Sequence, residues 1–182
     1  MHVNILPSNR VKQVKVIELI SADTANELFG NIVFDFRKTK KFNTTIVANL
    51  VNIGRHTLRK HEKGQIECSI KKADKLCQAF GFTMSIIFTP IDCKGYEYKC
   101  SWQDIPKTLC QLRTLTGKNR TDIAKQLECI KNNYKQNVST NKNTLISRLQ
   151  QYESGVTIVT IKFLVEIAKL YKYSVSLELT EK

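Results

Sequence analysis

Long apolar runs are missing from this chain. Its longest uncharged apolar stretch, Phe80 to Phe88, is broken by Gly81, Thr83 and Ser85 and falls far short of the roughly 20 residues that cross a bilayer. The first residues, Met1-His2-Val3-Asn4-Ile5-Leu6-Pro7, lack the basic, apolar and small-residue regions of a secretory leader. A cytoplasmic protein with no membrane role is the expectation. Metal-ligand spacing is missing too: the six cysteines contain no Cys-x-x-Cys pair, and only His2, His56 and His61 could help them. A zinc site on Cys93, Cys100 and Cys110 would have the wrong spacing. Reduced thiols, several of them small core hydrophobes, are expected instead, with no metal. Nothing resembles a catalytic set. There is no glycine-rich phosphate loop, no cluster of carboxylates and no histidine at motif distance from a nucleophile. The chain is therefore read as a non-enzyme without a cofactor.

Acid is scarce. Asp and Glu total 16 against 29 Lys and Arg, a formal charge of +13 and a sequence pI near 9.5. That surplus points to a polyanionic partner, nucleic acid ahead of an anionic membrane surface.

With 182 residues, 42% of them hydrophobic, the chain can form one mid-sized domain or two small ones. Val11 to Ile20 is rich in β-branched residues and reads as a strand. Ser21 or Asp23 caps a helix with a stripe at Leu28, Ile32 and Phe36, and Asn43 or Thr44 caps one through Val47, Ala48 and Val51. A short helix from about Arg55 to Lys60 ends before a turn at Gly64. Ser69 caps another, with Ala73, Leu76, Cys77 and Phe80 on one face and Gly81 at its end. Phe82 to Ile86 alternates like a strand.

The order then repeats. Tyr96 to Trp102 alternates, Asp104 and Pro106 open a helix through Leu109 and Leu112, and helices follow at Thr121 to Leu127, Leu145 to Tyr152 and Thr160 to Tyr171. Tyr173 to Leu179 closes as a strand. Gly64 and Gly155 stand 91 positions apart but Ala48 and Ala124 only 76, so the second copy holds about 15 extra residues. They fall at about 130–144, a polar and loop-like stretch. Two domains follow, 1–90 and 91–182.

The stretch Phe36-Arg37-Lys38 through Thr44-Thr45-Ile46-Val47-Ala48, then Gly54-Arg55-His56-Thr57-Leu58-Arg59-Lys60-His61-Glu62-Lys63-Gly64, resembles the Cro/repressor (Xre-type) helix-turn-helix signature without a gap. The second copy resembles it through Leu112-Arg113, Asp122 to Leu127 and, past the insertion, Thr144 to Gly155. The closing strands are similar to those of antitoxin-repressors, where a C-terminal strand pairs subunits. The resemblance implies a mostly α protein of two tandem lambda-repressor-like helix-turn-helix domains with short flanking β-strands. It implies a sequence-specific DNA-binding transcriptional regulator, acting on double-stranded DNA with recognition helices in the major groove. The alternative is an antitoxin or other protein-binding adaptor that neutralises a partner protein and regulates its own operon. Only Thr180-Glu181-Lys182 follows the last strand, too little for the usual toxin-binding extension.

A recognition helix needs an inward anchor and a polar outer face. Leu58 is the anchor, leaving Arg55, His56 and Arg59 for base edges, with Thr44 beside them at the start of the preceding helix. Lys38, Lys40, Lys41, Lys60 and Lys63 suit phosphates. From Arg37 to Lys63 there are eight basic residues against one acid, Glu62. In the second copy Ile146, Ser147, Gln150 and Gln151 would face the groove. Lys118, Arg120, Lys131, Lys135 and Lys142 would hold phosphates there. His61 falls where the family has an apolar core residue and is expected to be packed rather than free. Arg37 with Glu62, and Arg113 with Glu153, match a structural ion pair of the family. Four short strands need partners. A homodimer is expected, with pairing between the two copies of one chain as the alternative.

Overall fold

The computed structural model describes residues 14–92, 95–133 and 142–182, and their side chains except at 130–133 and 142. Among the described residues the protein is mostly helical, with eight helices and one four-stranded antiparallel sheet. The first half runs β1 (Val14–Leu19), α1 (Ala22–Thr39), α2 (Thr44–Leu50), α3 (Arg55–Glu62), α4 (Ile70–Ala79) and β2 (Phe82–Pro90). The second runs β3 (Tyr98–Cys100), α5 (Ile105–Leu115), α6 (Arg120–Asn133), α7 (Lys142–Glu153), α8 (Ile161–Leu170) and β4 (Tyr173–Glu181).

Local signals start these helices. The Ser21 hydroxyl accepts from the Asp23 amide, and Asn43 accepts from the Ile46 amide at 2.9 Å. Asn119, at the same place in the second half, accepts from the Asp122 amide at 2.9 Å. Ser69 and Thr160 cap α4 and α8 alike. Such caps satisfy amides that have no partner inside the helix.

Two expectations change. The buried face of α1 is Ala25, Phe29, Ile32 and Val33, because α1 packs on both α3 and α8; Leu28 and Phe36 are only half-buried. The stretch 130–144 is not a loop throughout, since α6 continues to Asn133 and α7 begins at Lys142.

The sheet joins the halves. Its order is β1-β4-β2-β3, so every pairing brings a strand of one half against a strand of the other. In the central pair Ile86 lies opposite Leu177, with Met84 opposite Leu179 and Phe88 opposite Val175. These six side chains form the buried face, and the helices cover it. A second seam lies among the helices. The Ile70 amide donates to the Val159 carbonyl at 3.0 Å, and the Ile161 amide to the Cys68 carbonyl at 2.9 Å. Among the described residues each strand pairs, within the one chain, with a strand of the opposite half.

Candidate nucleic-acid interface

The site is built around one buried guanidinium. Arg37 closes the last turn of α1, and its Nε and Nη2 donate to the two carboxylate oxygens of Glu62 at 2.5 and 2.9 Å. Its Nη1 donates to the Phe42 carbonyl at 3.5 Å. One side chain thus ties the end of α1 to the turn before α2 and to the end of α3. A forked donor suits a carboxylate, and the buried carboxylate holds the guanidinium pKa above its ordinary value, chiefly through these hydrogen bonds. Between α2 and α3 the chain turns through Asn52, whose φ is +54°. The Ile53 amide then returns to the Ala48 carbonyl at 2.9 Å.

Leu58, fully buried, anchors α3. On the opposite side Arg55, His56, Arg59 and Lys63 are exposed and Lys60 is half-buried. None of the four basic groups has an ion-pair partner among the described residues. The only acid of α3, Glu62, is buried against Arg37. The outward face therefore carries basic side chains and no acid. Thr44 is half-buried in the first turn of α2. Lys38, Lys40 and Lys41 are exposed at the neighbouring end of α1. The Lys38 ammonium lies 5.4 Å from the Phe34 ring centre, and that of Lys40 lies 3.8 Å from the Glu181 carboxylate.

His61 is 2% exposed and neither ring nitrogen has a hydrogen-bond partner among the described residues. Burial pulls its pKa down to about 4, with the Lys72 charge acting in the same direction. It is a neutral core residue, as the sequence reading expected.

The second half repeats the frame and changes the face. Arg113 donates from Nε and Nη2 to Glu153 at 2.6 and 3.1 Å and from Nη1 to the Lys118 carbonyl at 3.3 Å. Leu145 and Leu149 anchor α7, while Ser147, Gln150 and Gln151 are exposed. The Gln151 side-chain carbonyl accepts from the Thr157 hydroxyl at 3.2 Å, so it is partly engaged.

One assignment of the sequence reading is corrected: Ile146 is half-buried and packs against the core rather than facing outward. Two of the residues assigned to phosphates have partners within the protein. Lys118 donates to the Leu170 carbonyl at 2.6 Å and to Gln126 at 3.1 Å, closing the end of α8. Arg120 is 2.7 Å from Glu153, which thereby holds two guanidinium groups. Leu170 and Glu153 lie 52 and 33 residues from Lys118 and Arg120, so no local signal announced these contacts. Lys131 and Lys142 lie in α6 and α7, their side chains outside the described set, and Lys135 lies outside the described residues. Cys93 does as well, and no group of three or more His, Cys, Asp or Glu gathers among those described. Burial raises the Cys100 thiol pKa, which disfavours the thiolate a metal would need.

Compared with protein-family models, with characterised proteins and with solved structures, the chain finds no match in any of the three.

Proposed function

We propose that the protein is a sequence-specific binder of double-stranded DNA that regulates transcription, with α2 and α3 as a helix-turn-helix and α6 and α7 as a second one. One observation carries the reading: α3 presents Arg55, His56 and Arg59 outward with no ion-pair partner among the described residues, on a frame fixed by the buried Arg37–Glu62 pair. A solvated cationic helix has no need of such a frame. A helix that must enter the major groove at one angle does. Arg55 and Arg59, four residues apart, share one helix face and can each meet a guanine edge with two hydrogen bonds. Lys38, Lys40 and Lys41 lie at the flank, where backbone phosphates would pass.

Gel-shift titration of the full chain against a selected duplex tests this. Arg55→Ala or Arg59→Ala should cost about 1–3 kcal/mol and relax preference at one base position. Lys41→Ala should weaken all sequences alike and lower the salt slope by about 1. No loss in the Arg55→Ala, Arg59→Ala double variant would remove α3 as the reader.

A further inference from the structure

Positions 91 apart correspond between the halves: Gly64 with Gly155, Ser69 with Thr160, Ile86 with Leu177. Two of these matched pairs are also partners in space. Ser69 forms a β-bridge with Thr160, and Ile86 lies opposite Leu177 in the central strand pair. A residue faces its own counterpart across an antiparallel pair only where a two-fold axis passes between them. The two hydrogen bonds beside Ser69 and Thr160 obey the same symmetry, since Ile70 donates to Val159 and its counterpart Ile161 donates to Cys68. A single pseudo-dyad through the sheet and the helical layer accounts for both points and relates α4 and β2 to α8 and β4.

A two-fold axis preserves direction along itself, so α3 and α7 are presented the same way along it. Duplex DNA has dyads of its own, and a symmetric reader places its two helices on half-sites about one helical turn apart. The matched side chains nevertheless differ. His56 corresponds to Ser147 and Arg59 to Gln150, while Lys60 and Lys63 correspond to Gln151 and Ser154. The first face offers charge and guanine-reading forks. The second offers neutral amides and hydroxyls, and glutamine pairs bidentately with adenine.

Resting on the function proposed above, we infer that one chain alone reads an asymmetric duplex site of two unlike half-sites. One carries guanine beneath Arg55 and Arg59, the other adenine beneath Gln150, with Ser147 beside it. The pseudo-dyad supplies what a second subunit would otherwise supply, and the unlike faces remove the palindrome.

Selection of duplexes from a random library with the full chain, followed by sedimentation of the selected complex, tests this. The expected result is one chain per duplex and two unlike sequence blocks about one helical turn apart. In the Arg59→Ala variant the guanine block should lose preference, about tenfold in affinity for its selected bases. In the Ser147→Ala, Gln150→Ala variant only the adenine block should. All three positions are exposed, and an unchanged unfolding midpoint shows that the fold survives. A palindromic site holding two chains overturns the inference while leaving the proposed function intact. So does a single block that the Ser147→Ala, Gln150→Ala variant does not change. No selected sequence at all overturns both.

Discussion

At position 61 a histidine occupies a place whose counterpart in the second half, 91 residues on, is Tyr152. Both are buried. The imidazole has no hydrogen-bond partner among the described residues and a pKa of about 4, against 6.5 in the unfolded chain. Between those values the unfolded chain binds more protons than the folded one, so stability falls as pH drops from 6.5 toward 4 and is fully present above 6.5. The loss amounts to at most about 3 kcal/mol. It should be visible as a lower urea midpoint at pH 4.5 than at pH 7. The informative quantity is the difference from His61→Leu. That variant should lose distinctly less between the two pH values, and equal losses would remove His61 as a source.

Among the elements, α1 does the most positioning. Seven residues longer than its counterpart α5, at 18 residues against 11, it reaches both α3 and α8. It comes closest to α3 at Gly30, where an added Cβ would stand 2.3 Å from the His61 carbonyl oxygen. Gly64, with φ +65°, turns the chain out of α3 so close to Glu27 that a Cβ would meet its Cα at 2.6 Å. Neither neighbour is the tip of a flexible side chain, so α3 itself would have to move. Gly30→Ala should therefore destabilise the protein by about 2 kcal/mol or more, the scale of an overpacked core. It should also weaken DNA binding beyond what a fully folded fraction explains. Denaturation and gel-shift titration on the same sample separate the two effects; wild-type values in both would show that the approach is not tight. The helices themselves were legible because their signals are local: Ser21, Asn43 and Ser69 each cap where the sequence placed a cap. So was the Arg37–Glu62 frame, through the resemblance. The contact of Lys118 with α8 was not, because the carbonyl it reaches is 52 residues away.

At the scale of the molecule, the sequence announced four strands but not their partners. Alternation shows which face of a strand is buried but not its neighbours: β2 meets the nearby β3, with Phe88 opposite Tyr98, whereas its pairing with β4 joins segments some 80 or more residues apart, as in Ser174 and Thr89, and leaves no local trace. The outcome bears on independence. Among the described residues no strand of either half pairs with a strand of its own half, and Met84, Ile86 and Phe88 are flanked on the same sheet face by Leu179, Leu177 and Val175 from across the dyad. A lone first half would leave the edges of β2 unpaired and expose the side of α1 that packs on α8. It cannot simply replace α8 with a second α4, because Lys72 stands where α8 has Phe163. Burying that charge without a partner costs several kcal/mol, comparable to the whole stability of a small domain. Residues 1–92 produced alone should therefore show no cooperative unfolding transition. Mixed with residues 93–182 they should recover one, together with a one-to-one complex by sedimentation, since the sheet and the α1–α8 contact supply the missing faces. A first half that unfolds cooperatively as a monomer, indifferent to the second, would show that each half carries a sufficient core and that the shared sheet is an accessory.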